Sequence, residues 1–82
     1  MRQSFTVPEP YIPINCEVHD ELELLCMRKA EQTILYQANG ETRSVRARFD
    51  TIRVRDGQEF LIYYVGESQL SLRLDKLISF TA

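Results

Sequence analysis

Glu17, Asp20, Glu21 and Glu23 put four carboxylates into seven residues, with His19 among them and Cys16 just ahead. Several chemistries could use such a set. Cys16 and His19, three residues apart, have the types of a nucleophile and its base, but no third orienting group, oxyanion-stabilising glycine loop or phosphate cradle accompanies them. Paired carboxylates could serve as acid and base, yet a chain of 82 residues has little bulk with which to enclose them in a pocket. Two cysteines (Cys16 and Cys26) and one histidine fall short of the four ligands of a structural zinc site. The remaining chemistry is charge. Carboxylates in a row can meet the Lys and Arg cations with which a nucleic-acid groove holds phosphates. The same acids also suit a solvated helix start, where the helix dipole favours them. The expectation is a binding protein, not an enzyme, with no cofactor and no metal.

A second charged set lies further on. Arg43, Arg46, Arg48, Arg53 and Arg55 place half of the ten basic residues within thirteen positions. Alternation puts Arg46 with Arg48 on one face, and Arg53 with Arg55 on one face. Such a cluster fits a small RNA-binding module, with Tyr63 and Tyr64 as rings that could stack bases, or a charged outer strand face. The net charge of −2 and pI near 5.3 oppose direct nucleic-acid binding. Arg55, beside the turn Asp56-Gly57, could also touch a protein partner.

These residues need elements to hold them. Residues 1–10 hold Pro8 and Pro10 and read as a flexible arm, while Tyr11, Ile12 and Ile14 are apolar enough to pin the chain that follows. Asn15 and the Asp20–Glu23 pair compete as the start of a short helix, about residues 17–28. Val18, Leu22, Leu25 and Cys26 fall on its apolar side; Asp20, Glu23, Leu24 and Met27 fall opposite. From Thr33 the pattern changes to strands. Asn39-Gly40, Asp56-Gly57 and Gly66-Glu67 are two-residue hairpin turns. Val45, Ala47 and Phe49 share one phase and Ile52 and Val54 the other, which predicts a bulge near Asp50-Thr51. Glu59–Val65 is nearly continuous apolar and reads as the central strand. Leu70, Leu72 and Leu74 alternate with polar residues, and Leu77–Thr81 forms the last strand. The fold class is mainly β: a small curled barrel of about five antiparallel strands behind one short helix, residues 11–82 forming one domain. Closure would remove exposed edges. Both cysteines are expected to be reduced and buried. No apolar run approaches the ~18 residues of a membrane span, and no secretory signal opens the chain, so a cytoplasmic protein is expected.

Tyr11-x-Pro13-Ile14-Asn15-Cys16, Asp20-x-Leu22-Glu23-Leu24-x-Cys26, Gly40-Glu41, Glu59-Phe60-Leu61, Gly66-Glu67 and Leu72-Arg73-Leu74-Asp75-Lys76-x-x-Ser79-Phe80 together resemble the Rof family of small bacterial Rho-binding antiterminators. The match runs over about residues 11–80. The resemblance implies a Sm-like barrel with an N-terminal helix; a chain of this kind is expected to be monomeric when free. It also implies non-catalytic inhibition of transcription termination factor Rho, a hexamer, by occupying the primary RNA-binding site of its N-terminal domain. On this reading Asp20 and Glu23 meet basic residues of Rho, Glu17 and His19 form the rim, Met27 is an apolar anchor, and Arg55 adds a contact from the hairpin tip. The Leu72–Lys76 block is expected to be structural, with Leu72 and Leu74 in the core.

Overall fold

A short polar side chain decides where the helix starts. The structure, a computed structural model, describes residues 11–82; the arm expected over residues 1–10 lies outside them. Asn15 has extended backbone angles (φ −58°, ψ 140°), and its Oδ1 accepts the Glu17 N–H at 2.7 Å. That bond satisfies a donor which the first helical turn leaves open, so Asn15 prevails over Asp20 as the cap. Helix α1 then runs Cys16–Met27. It ends in a Schellman turn, with Ala30 N–H donating to Leu25 O and Lys29 N–H to Cys26 O, both at 3.0 Å. Lys29 takes the left-handed conformation (φ 51°) that glycine usually fills. Its Nζ is held by Asp50, 2.9 Å from the backbone carbonyl and 3.0 Å from Oδ1.

Five antiparallel strands follow: β1 Glu31–Ala38, β2 Glu41–Arg55, β3 Gln58–Val65, β4 Ser68–Arg73 and β5 Leu77–Thr81, with a 3-10 turn at Leu74–Lys76. Asn39-Gly40 and Asp56-Gly57 both have positive φ at both positions, the type I′ geometry whose twist matches the flanking strands. The sheet order is β4-β3-β2-β1-β5. The central strand is therefore β2, not β3. The apolar run did locate a stretch buried on both faces, since Leu61, Ile62 and Tyr63 are all buried. It could not show that β4, on the side of β3 away from β2, is already the edge of the sheet.

The bulge falls where the phase slip places it. Pairing jumps from Phe49↔Tyr63 to Thr51↔Ile62, leaving Asp50 as the extra residue. Ala47 and Phe49 before it, and Ile52 after it, pack on the core. Val54 does not. It is 68% exposed, because it pairs with Glu59 near the hairpin end, past the apolar cluster.

The sheet must curl. Strands β4 and β5 are at opposite edges, four strand spacings or about 19 Å apart in a flat sheet. Only the turn Leu74–Lys76 separates Arg73 from Leu77, a link that reaches at most about 14 Å when fully stretched. Curling brings the edges together, and Phe80 of β5 meets Phe49 of β2 edge-on at 6.2 Å. Closure is incomplete, since β4 and β5 do not pair. Leu74, fully buried, packs across that seam in place of a ladder. One cluster of Leu22, Cys26, Ile34, Ala47, Phe49, Leu61, Tyr63, Leu72 and Leu74 forms the core.

Candidate partner-binding face

Helical periodicity sorts α1 into two sides. Leu22 (0% exposed) and Cys26 are sunk in the core, with Val18 and Leu25 packed against it. That docking leaves Glu17, Asp20, Glu21 and Glu23 exposed, together with Leu24 at 43% and Met27 at 78%. A large apolar side chain left open among carboxylates is the arrangement of an interface centre with a polar rim.

His19 is more engaged than a free rim residue. Its side chain is three-quarters covered, and Nε2 lies 2.7 Å from Glu59 Oε2. A carboxylate only accepts, so Nε2 carries the proton. On the other side Nδ1 is 3.6 Å from Glu23 Oε1. His19 thereby ties the helix to β3, while Glu23, one turn further along, stays exposed beside it. Tyr11 O–H donates to the other oxygen of Glu59 at 3.5 Å. Glu59 is the residue that sequence reasoning missed here; Tyr11, expected as an apolar pin, also holds through its hydroxyl. The available signal was an acid in the inward phase of β3, two residues before Leu61. His19, Asp20 and Glu23 bring one ligand-capable atom each within 4.8 Å of one another. Neighbours on one helical turn produce that grouping without any ion.

Below the tied end of the helix, Arg73 grips Asp75 through Nε (2.6 Å) and Nη2 (2.8 Å). Ile12 N–H also donates to Asp75 at 3.1 Å, and the Arg73 guanidinium lies 5.8 Å from the Tyr11 ring centre. Burial works to raise the Asp75 carboxyl, but the Arg73 fork and the Ile12 N–H outweigh it and hold it below the usual carboxylate range. So Tyr11 and Ile14 do pin the chain ahead of the helix, whereas the Ile12 side chain is 67% exposed and only its backbone is held. Leu72 and Leu74 are in the core, as the alternation predicts.

At the other end of α1 a trough of about 400 Å³ runs between Glu23, Cys26 and Met27 on the helix and Lys29, Asp50, Thr51 and Ile52 at the bend. Cys26 is buried, and its surroundings push the thiol up to about 11. Cys16 is exposed, contrary to expectation, because helical phase puts it on the outward side with Asp20, Glu23 and Met27. Arg55 is exposed at the end of β2. With Arg53 it lines a trough on the sheet face that alternation turns away from Ile52 and Leu61, so the structure does not join it to the helix set.

The described residues thus define a small mainly β protein whose helix offers an acidic face with open apolar side chains. Among them, no helix is long and apolar enough to cross a membrane. Residues 13–82 match the family described as "Modulator of Rho-dependent transcription termination (ROF)", and the chain belongs to this family. It is 33% identical over 73 residues to "Protein rof" of Escherichia coli (strain K12), covering 89% of this chain and 83% of that protein. "Protein rof" of Shigella flexneri matches to the same extent. The role in the family's description is regulatory, not catalytic.

Proposed function

We propose that this chain is a non-catalytic inhibitor that binds transcription termination factor Rho at its primary RNA-binding region and blocks RNA loading, giving antitermination. The curled sheet serves as a Sm-like scaffold, in the cytoplasm, and α1 supplies the contact. The observation that carries the reading is Met27, 78% exposed beside Leu24 and Glu23, on a helix that also leaves the carboxylates of Glu17, Asp20 and Glu21 open. A groove made for RNA is lined with cations, and carboxylates can pair with them as phosphates do. Asp20 and Glu23 are the central contacts, Met27 the apolar anchor, and Glu17 and His19 the rim. Arg55 contributes only if the partner also reaches the β2–β3 hairpin. His19 matters here as a positioning residue, since its bond to Glu59 fixes the helix on the sheet.

Purified Rho immobilised on a biosensor tests this. The wild-type chain binds, and C-rich single-stranded RNA displaces it. Asp20→Lys combined with Glu23→Lys weakens binding about tenfold to a hundredfold, from two lost attractions and two added repulsions of up to about 1 kcal/mol each. Unchanged binding by a folded double variant would refute the reading.

A further inference from the structure

The face of the sheet turned away from the core carries a different chemistry. Alternation places Phe60, Ile62 and Tyr64 of β3 on that face. Across β2 they meet Arg53, Thr51 and Arg48, and across β4 Arg73, Ser71 and Gln69. Arg48 lies 5.0 Å from the Tyr64 ring centre, and Gln69 Nε2 donates to Tyr64 Oη at 3.1 Å. Two adjoining troughs, of about 210 and 350 Å³, share Arg53, Arg55, Ile62 and Ser71 in their walls. Among the described residues, Arg53 and Arg55 have no carboxylate within ion-pair distance. These two exposed guanidinium groups therefore stand at the Phe60 end of the face with their charge unmatched, while Tyr64 lies at the other end beside Arg48.

We propose that this face binds single-stranded nucleic acid. Arg53 and Arg55 take phosphates, and Phe60 and Tyr64, about 13 Å apart along the strand, offer ring faces to bases. Ser71 and Gln69 supply polar groups for base edges. Aromatic rings on an open sheet are a recurrent way to stack two or three bases. An acidic peptide would satisfy the arginines but leave the rings uncovered, so nucleic acid fits the whole surface better. The negative charge of the chain as a whole does not forbid this. At physiological salt fields decay over about 8 Å, so the charge near the trough decides. The inference is independent of the reading on Rho, and its test contains no Rho.

Fluorescence anisotropy with a labelled ten-nucleotide single-stranded RNA reads the outcome. If Arg53 and Arg55 each neutralise one phosphate, raising salt from about 50 to 200 mM weakens binding about sevenfold. The double variant Arg53→Ala with Arg55→Ala, checked for wild-type circular dichroism, binds at least tenfold more weakly and with a flatter salt dependence. Tyr64→Ser weakens RNA fivefold or more, while Asp20→Lys with Glu23→Lys does not weaken it. No binding up to about 100 µM at low salt, where even non-specific complexes form, would overturn the proposal. So would RNA binding unaffected by the arginine changes, or competition by poly-glutamate as effective as unlabelled RNA, which would assign the face to an acidic protein instead.

Discussion

Leu22 and Leu24 are chemically identical, two residues apart on one helix, and the structure gives them opposite duties. Leu22 is fully buried against the sheet and Leu24 is 43% exposed on the acidic side. Truncating Leu22 to alanine removes buried carbon worth about 2 kcal/mol in transfer and leaves a cavity, for a loss of about 3–4 kcal/mol. A chain of this size has about 4–12 kcal/mol to lose. Cys26, the other fully sunk residue of the helix, is small, and twelve residues are marginal in isolation, so Val18, Leu25 and the His19–Glu59 bond must hold what remains. The expected fall in melting temperature is about 12–30 °C. Leu24→Ala removes a side chain already wetted and lowers it by no more than about 4 °C. On Rho the order reverses: Leu24→Ala, still fully folded, binds several-fold more weakly. Thermal melts by circular dichroism, with Rho binding measured at low temperature, separate the two effects. If both variants melt together, or if Leu22→Ala melts within 5 °C or so of wild type, the assignment of the helix faces is wrong.

Three further outcomes follow from single groups. Asn15→Ala removes the cap of α1 and costs about 1 kcal/mol, read as a fall of about 4–8 °C in melting temperature. Iodoacetamide at pH 8 labels Cys16 and leaves Cys26 untouched until the protein is denatured, because Cys16 is exposed while Cys26 is buried with its thiol raised to about 11. Asp75 is held below its ordinary value of 3.8, so its contribution to stability is complete above that pH and is lost as pH falls through the lower folded value. Asp75→Asn should therefore unfold at lower urea than wild type at pH 7, with the difference shrinking as the pH drops below about 4.

The local features of this fold were legible because their causes are local. Asn39-Gly40 and Asp56-Gly57 dictate type I′ turns through φ alone, and the slip from Phe49 to Ile52 announces a bulge whatever lies across the sheet. The acidic and apolar sides of α1 were equally readable from its period. Features that depend on distant partners were not. Nothing near Glu59 says that His19, forty residues earlier, will bond to it. The apolar density of β3 does not tell how many strands lie beyond the two that flank it. The same holds for the two sets of arginines: their face was predictable, but the absence of carboxylates opposite Arg53 and Arg55 needed the pairing.

A three-residue clasp sets the shape of the whole sheet, and that leaves the molecule without slack at one point. Adding a few residues between Arg73 and Leu77 would let the rims drift apart, bare Leu74 and Phe80, and offer two raw strand edges to neighbouring molecules. Lengthening the Asn39-Gly40 turn carries no such penalty, because the strands it joins already lie side by side. Tags and inserted reporters belong there.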